Sequence, residues 1–255
     1  MNLSEITPLL ITFDEIRNLP RTLAALHWAS RIVVVDSGSC DGTLELLAAD
    51  ARITVLHRPF DHFAEQCTHG LEAIDSLWVL SLDADHVLSP EWLAELRDLN
   101  PGQRAGYSAG FRYCVNGKPL KASLLPPRVV LFRRDAGYFQ NDGHAHRIVL
   151  AGPEGRLNSA IFHDDQKPLA RWLAAQSRYA AQEAEKLAVT APGSLNRADR
   201  LRLRLLGPLA ILPYCLLICG LWRDGRAGWF YTLQRLYFET LLALLLLSRP
   251  AEKTS

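Results

Sequence analysis

The stretch LWVLSLDADH, residues 77–86, decides the fold class of this chain. Its first half is a continuous apolar run, which is typical of a strand buried on both faces of a parallel sheet. Its second half is acidic, and Asp83 and Asp85 would share one face of a regular strand. The pair is either a site for a divalent ion and a nucleotide or a solvated strand end with a helix-capping aspartate.

The same alternation occurs upstream of this stretch. Apolar or β-branched runs begin at residues 8, 31, 53 and 77, and helical patterns begin at residues 18, 43 and 63. Buried strands that alternate with helices predict an α/β fold with a parallel sheet and helices on both of its faces. In such sheets ligands bind beyond the carboxyl ends of the strands, where both acidic motifs of this chain fall.

Composition narrows the class of protein. A chain of 255 residues with 49% apolar side chains can bury a large core, and its formal net charge of +1 does not favour nucleic acid as a partner. The five cysteines have neither zinc-site nor disulfide spacing, so a reducing compartment is expected. The N-terminus has no basic segment and reaches acids at Glu5 and Asp14, which predicts a main domain that stays in the cytoplasm.

The first acidic motif is DSGSCDGT, residues 36–43. Asp36, Ser37 and Asp41 offer carboxylates and a hydroxyl to a ribose or a base edge. The motif lacks both the GxGxxG spacing of a dinucleotide fold and the lysine of a P-loop. The alternative is a structural loop in which Asp41 or Thr43 caps the next helix.

The second acidic motif suits a metal. Carboxylate oxygens at Asp83 and Asp85 are hard ligands of the kind that Mg²⁺ and Mn²⁺ prefer. A divalent ion at this position would bind a diphosphate and neutralise its charge as it leaves.

Several stretches, in their order and spacing, resemble family-2 glycosyltransferases with the GT-A fold, in particular the bacterial branch of lipopolysaccharide core glucosyltransferase-like proteins. They are ITFDEIRNLPRTLAAL, IVVVDSGSCDGT, RPF, WVLSLDADHVLSPEW and VVLFRRD, and they cover most of residues 8–135. The resemblance implies a GT-A domain with a mixed sheet and helices on both faces. It also implies sugar transfer from a nucleotide sugar with inversion.

The resemblance further implies roles for individual residues. Asp36 would contact the nucleotide, Asp83 its ribose or the ion, and Asp85 the ion. Phe13, Asp14 and Glu15 occupy the place where the family often has an Asn-Glu pair, so Glu15 is kept and the Asn is replaced. The remaining residues expected on the donor side are Ser37, Asp41 and Arg128.

The catalytic base is expected in the segment NDGHAH, residues 141–146. Inverting transfer needs a group that takes the proton of the acceptor hydroxyl, and Asp142 or else His144 is the candidate. The alternative is a tight turn at Asp142 with ordinary strand histidines. His144 and His146 alternate as a metal pair would, but no third ligand nearby supports a zinc site.

His163 is the third metal candidate, by analogy with GT-A enzymes in which a late histidine completes the coordination or touches the diphosphate. The alternative is that this segment has a structural role, in which Asp164 or Asp165 caps the helix expected at 168–188.

The region 191–255 differs sharply from the domain predicted at 1–190. A basic cluster precedes two apolar segments, 205–222 and 227–247, and contains Arg197, Arg200, Arg202 and Arg204. Prolines interrupt the first segment and arginines flank it, so an interfacial or re-entrant helical hairpin fits better than a simple crossing. The second segment carries a narrow polar stripe formed by Gly228, Thr232, Arg235 and Glu239. The alternative is a buried hairpin or a dimer interface.

Together these features predict a metal-dependent inverting glycosyltransferase. It would move a sugar, carried by UDP in our interpretation, to a lipid-linked or lipopolysaccharide-type glycan. It would lie at the cytoplasmic side of a bacterial inner membrane, as a peripheral or monotopic protein attached to the membrane surface. The alternative is a non-catalytic scaffold of the same fold, motivated by the altered stretches FDE, QCT and NDGHAH.

Overall fold

The computed structural model describes residues 1–122, 126–142 and 145–249. The chain divides into two compact units, one of residues 1–119 with 125–166 and one of residues 120–124 with 167–255. This division groups residues 167–190 with the C-terminal region, whereas the composition places a boundary at residue 190; that functional boundary stays a prediction.

Among the described residues the first unit contains thirteen strands, four α-helices and one short 3-10 helix (Leu3–Glu5). The strands are β1 (Ile6–Thr12), β2 (Ile32–Asp36), β3 (Ile53–His57), β4 (Trp78–Asp83), β5 (His86–Val87), β6 (Gly106–Ala109), β7 (Phe111–Val115), β8 (Lys118–Pro119), β9 (Arg128–Arg133), β10 (Gly137–Asp142), β11 (Ala145–Leu150), β12 (Glu154–Arg156) and β13 (Ile161–His163). The helices are α1 (Leu19–Ala25), α2 (Thr43–Ala48), α3 (Phe63–Glu72) and α4 (Pro90–Asp98). The strands and helices expected before residue 85 are confirmed in type and order.

The main sheet has seven strands in the order β12-β6-β9-β4-β1-β2-β3. Strands β3, β2, β1 and β4 are parallel, but β9 runs antiparallel to both β4 and β6. The sheet is therefore mixed, as the family resemblance implied, and not wholly parallel, as the strand and helix alternation suggested. A four-stranded sheet (β5-β13-β7-β8) and the β10–β11 hairpin complete the unit.

Helices cover both faces of the main sheet. Neighbouring residues of one strand belong to different cores: Leu10 packs with α1, α2 and α4, and Leu9 packs with α3 and β10. This alternation is the period-two geometry of a strand. Helix α3 approaches the sheet closely at Gly70, where a Cβ atom would lie 2.3 Å from Leu9 Cδ1 and 2.8 Å from Val35 Cγ2.

The second unit is helical in its described residues. Its α-helices are α5 (Leu169–Val189), α6 (Arg197–Leu203), α7 (Gly207–Pro213), continued by a π-helical turn (Tyr214–Ile218), and α8 (Gly225–Ser248). Short 3-10 helices lie at Pro192–Ser194 and Leu221–Asp224. A small apolar cluster joins α5 to α8 through Ala180, Ala184, Leu187, Phe238 and Leu242. The expected helix at 168–188 is confirmed, although its N-cap is Pro168 without a side-chain bond, so neither Asp164 nor Asp165 caps it.

The polar stripe of α8 faces the interior of the second unit. Thr232 and Glu239 are buried, and Arg202 of α6 donates hydrogen bonds to Glu239 and Glu183. Large apolar side chains face outward instead, among them Leu209, Leu217, Ile218, Trp222, Leu233, Leu244 and Leu247. The segment Leu221–Ser248 is long and apolar enough to cross a membrane by length and composition, a test that core helices of soluble proteins also pass.

Candidate functional site

The site begins where three neighbouring parallel strands end. Thr12 of β1 is paired in register with Asp36 of β2, and Ile11 of β1 is paired with Asp83 of β4. Because parallel strands point the same way, both acidic motifs reach the same edge of the sheet, as expected.

The carboxylate of Asp36 is fully buried and is held by its own loop. It accepts hydrogen bonds from Thr12 Oγ1 at 2.9 Å, from the Ser39 hydroxyl at 2.5 Å, and from the backbone N–H groups of Gly38 and Ser39 at 2.9 Å. Burial favours the neutral acid, but these donors outweigh it and hold the pKa of Asp36 below its ordinary value. The loop is therefore built around an ionised Asp36.

The loop after β1 is fastened to the loop after β2. Asp14 has a left-handed backbone (φ 54°), its N–H donates to the Ser39 hydroxyl, and its carboxylate accepts from the Cys40 N–H. The Glu15 N–H donates to Thr43 Oγ1 at 2.8 Å. Glu15 is buried, whereas Phe13 is 48% exposed beside it. The two segments expected to bind the donor therefore form one joined surface.

Asp41 and Ser37 also have structural partners. Asp41 accepts from the Ile16 N–H and from Thr43, and these hydrogen bonds lower the pKa of Asp41 although burial opposes them. Helix α2 has Gly42 as its N-cap residue, but the Asp41 carboxylate accepts the N–H of Thr43, the first residue of α2, at 3.1 Å, so the alternative in which Asp41 caps this helix is confirmed. The Ser37 hydroxyl accepts from the Gln66 amide at 3.1 Å.

Asp83 faces a cavity of about 220 Å³ lined by Ser81, Asp83, His86, Phe111, Pro127–Val130, His146–Ile148 and Glu154. Its carboxylate lies 3.9 Å from Arg128 Nη2 and 3.4 Å from His86 Nε2. Burial alone would raise the pKa of Asp83, but His86, Arg128 and His146 hold it below its ordinary value. Arg128 stacks on Phe111 with its guanidinium carbon 4.7 Å from the ring centre, so its position is fixed.

Strand β4 ends at Asp83, so the expectation that Asp83 and Asp85 share a strand face is wrong. Asp85 lies in the following turn and points to His163 at the end of β13, with 3.1 Å between Asp85 Oδ2 and His163 Nε2. Burial opposes protonation of His163, but the Asp85 carboxylate overcomes it and raises the pKa of His163. The fold thus brings together two of the three expected metal ligands.

A hydrogen-bond network holds the chain next to His163. Asp164 pairs with Arg21 of α1 and accepts from the Gly117 N–H. Asn18 donates to Asp165 and to Glu15. The end of β13 is therefore tied to the loop that carries Phe13 and Glu15, a connection that no local sequence signal predicts.

His86 is a site residue that sequence reasoning missed, although it directly follows Asp85. Candidate ligand atoms of Asp85, His86 and His163 all lie within 4.8 Å of one another. Burial lowers the pKa of His86 to about 4, so its ring is neutral. Two buried nitrogens, His86 Nε2 and His163 Nδ1, have no hydrogen-bond partner among the described residues. The Asp85 carboxylate beside the His163 imidazole is a donor pair that fits a divalent ion.

Asp142, the first candidate for the base, lies on the β10–β11 hairpin. Asp142 ends β10 opposite Ala145, and His144 lies outside the described residues. The adjacent Asn141 accepts from the Ala64 N–H of α3 and donates to Glu65, which ties the hairpin to that helix. His146 lines the cavity beside Asp83, and its ring nitrogen lies 3.7 Å from Cys67 Sγ. Burial lowers the pKa of His146.

The mixed sheet with helices on both of its faces is the fold of GT-A glycosyltransferases. Two solved structures share the fold across nearly the whole chain. S. aureus TarS 1-349 in complex with UDP-GlcNAc has a TM-score of 0.51 at 13% identity, covering 97% of this chain and 93% of TarS. The mannosyltransferase PcManGT from Pyrobaculum calidifontis, in complex with GDP-Man and Mn²⁺, has a TM-score of 0.54 at 15% identity, covering 96% and 87%.

The family model described as Glycosyl transferase family 2 matches residues 9–148. The chain belongs to this family and is a glycosyltransferase. It is also similar to the lipopolysaccharide core biosynthesis glycosyltransferase LpsC of Rhizobium meliloti, at 24% identity over 97% of this chain and 94% of LpsC.

Proposed function

We propose that the chain transfers a sugar with inversion from a nucleotide sugar, carried by UDP, to a hydroxyl of a lipid-linked or lipopolysaccharide-type glycan. The observation that carries the proposal is the Asp85–His163 pair at 3.1 Å, next to the cavity that holds Asp83 and Arg128. The name of LpsC supports an envelope glycan acceptor, and the named complexes of TarS and PcManGT support a nucleotide-sugar donor.

Asp85 and His163, with Asp83 beside them, are the residues that would hold a divalent ion. The ion would supply charge neutralisation for the departing diphosphate. An imidazole in the donor set favours Mn²⁺ over Mg²⁺, because Mg²⁺ demands hard oxygen ligands in octahedral geometry. Arg128 adds a fixed positive charge on the same side of the cavity.

In the proposed reaction the acceptor hydroxyl oxygen bonds to the anomeric carbon of the sugar while the bond from that carbon to the diphosphate breaks. The hydroxyl proton passes to a base, and the nucleoside diphosphate leaves. Asp142 is our proposed base and His144 the second candidate. Support comes from the hairpin itself, because its strand β11 lines the cavity with His146 and Asn141 anchors its other strand.

Titration of UDP and GDP into the full-length protein in detergent, with and without Mn²⁺, tests the donor and metal assignment. We expect UDP binding that depends on Mn²⁺ and is lost in Asp85→Asn. Tighter binding of GDP would overturn the choice of UDP. Binding that is indifferent to Mn²⁺ and to Asp85→Asn would overturn the metal role.

Paired substitutions test the base. Asp142→Asn should lower kcat about 10²–10⁴-fold, the usual contribution of a general base, and should leave binding of UDP with Mn²⁺ unchanged. Asp135→Asn, an exposed acid beyond β9, is the matched control. A full loss in His144→Asn with an active Asp142→Asn would transfer the role to His144.

We also propose that the second unit attaches the protein to the cytoplasmic membrane surface. Its polarity is inverted, because the ion pair of Arg202 with Glu239 is inside while Leu217 and Ile218 are 72% and 76% exposed. Exposed apolar patches of this kind mark protein or membrane contacts. The exposed arginines Arg200, Arg204, Arg223 and Arg226 favour anionic headgroups.

Flotation with vesicles tests attachment. The full-length protein should float with vesicles that contain anionic lipid and less with neutral ones. Leu217→Glu combined with Ile218→Glu should abolish flotation, whereas Leu77→Glu, an exposed leucine of the first unit, should not. A protein that stays in the unbound fraction and forms dimers lost in the double variant would show a subunit interface instead.

A further inference from the structure

His86 lies at the centre of the acidic turn and is 3% exposed. Its ring contacts Phe111, with centroids 5.0 Å apart, and meets the His163 ring edge-on at 5.3 Å. Its Nε2 atom faces both acids of the turn, 3.4 Å from Asp83 Oδ2 and 4.0 Å from Asp85 Oδ1.

The other ring nitrogen of His86 determines what Nε2 can do. The backbone N–H of Asp83 donates to His86 Nδ1 at 3.0 Å. The lone pair of Nδ1 is therefore occupied, and the ring hydrogen lies on Nε2. A histidine that binds a metal has the opposite arrangement, since its second nitrogen donates to a carboxylate or carbonyl. Neither nitrogen of His86 can bind an ion without loss of the backbone hydrogen bond.

The Nε2 hydrogen is buried and has no acceptor of good geometry in residues 1–122, 126–142 and 145–249. Buried donors without acceptors are rare in folded proteins, and each calls for an explanation. The Asp83 carboxylate lies 3.4 Å from Nε2, so a small movement would let it accept this hydrogen.

We propose that His86 is a positioning residue: its Nε2–H orients the Asp83 carboxylate beside Asp85 for the donor diphosphate, and His86 does not bind the ion. The inference rests on the proposed function and deepens it. Asp85 and His163 would bind the ion, whereas His86 lies close enough to do so but has its Nδ1 lone pair engaged by the Asp83 N–H. An N–H between two carboxylates also reduces their mutual repulsion before an ion is bound.

Protein labelled with ¹⁵N-histidine tests the tautomer directly, with the His86 signals assigned by their loss in His86→Gln. In the full-length protein without metal, His86 should carry hydrogen on Nε2 and none on Nδ1. Addition of Mg²⁺ with UDP should leave that pattern unchanged and should shift the His163 signals. A hydrogen on Nδ1, or loss of the Nε2 hydrogen when the ion is added, would overturn the inference.

Two substitutions then separate the functions of the ring. His86→Gln keeps a donor near the position of Nε2, and His86→Asn keeps an acceptor near that of Nδ1 but removes the donor. We expect His86→Asn to lower turnover about 10–100-fold, the usual effect of losing a group that orients ligands, and His86→Gln to recover most of it. His27→Asn, an exposed histidine of the first unit, is the control.

Equal losses in both His86 variants, with equal losses of melting temperature, would indicate a packing role and overturn the inference. If the wild-type protein binds neither Mn²⁺ nor UDP and shows no turnover, the proposed function fails. In that case the tautomer of His86 in the metal-free protein still tests the inference. Failure of the inference and failure of the proposed function are therefore distinguishable.

Discussion

Asp36 and Asp83 end the two strands that flank β1, yet their carboxylates meet opposite surroundings. Asp36 accepts four hydrogen bonds from Thr12, Gly38 and Ser39 and is fully buried. Asp83 has the neutral ring of His86 at 3.4 Å and the charged guanidinium of Arg128 at 3.9 Å, and it opens onto a cavity. A carboxylate that its own loop already binds builds the fold, whereas one that faces a cavity beside an arginine is available to a ligand. Hydrogen bonding, and not acidity, distinguishes the two motifs.

The largest effect that would test this comparison is expected at Asp85. Asp85→Asn should lower turnover about 10²–10³-fold, the range seen when one preorganised electrostatic group is removed, and should weaken Mn²⁺ binding. Steady-state kinetics and Mn²⁺ titration measure both. Asp98→Asn, an exposed acid at the end of α4, is the matched control. Turnover near the wild-type level would place the metal elsewhere.

The second effect is on stability, and here the substitution of Asp36 should matter more than that of Asp83. Asp36→Ala leaves buried donors without an acceptor, and the free energy of unfolding should fall by about 3 kcal/mol. Asp83→Ala removes a partly exposed charge and should change it by about 1 kcal/mol or less. Urea unfolding of the two variants measures the difference. Equal losses would contradict the distinction between a structural and a ligand-binding carboxylate.

A smaller effect is expected at Arg128. Arg128→Met should raise the Kd for UDP with Mn²⁺ about tenfold, equal to about 1.4 kcal/mol. Arg128→Lys keeps the charge but loses the planar stack on Phe111, so its Kd should lie between those of Arg128→Met and the wild type. Isothermal titration gives the three values. An unchanged Kd in Arg128→Met would exclude Arg128 from the donor site.

The smallest effect concerns acid stability. The folded-state pKa of Asp36 is lowered, so its contribution to stability is fully present above the ordinary carboxyl pKa and is lost as pH falls toward the folded value. The wild-type protein should therefore lose more stability than Asp36→Asn between about pH 5 and pH 3. Urea midpoints across that range test the sign. A parallel decline in both proteins would show that Asp36 does not cause it.

Local periodicity was sufficient to predict much of the fold. Apolar runs and helical spacing predicted the strands and helices before residue 85, because burial of a strand or a helix face is visible in consecutive residues. The order of the motifs was sufficient to predict the family, and the match of the family model to residues 9–148 confirms that prediction. The register of β9 was not predictable, because an antiparallel strand inserted between β4 and β6 depends on contacts that are distant in sequence.

For the candidate site, the sequence by itself determined that acidic side chains end parallel strands, since such strands all point to one edge. Only the tertiary structure decided which of those carboxylates is occupied by its own loop. It also decided that His163 meets Asp85, that Asp83 fixes the tautomer of His86, and that the polar stripe of α8 faces inward. Each of these depends on a hydrogen bond, an ion pair or burial set by three-dimensional packing, which residue types and their spacing do not encode.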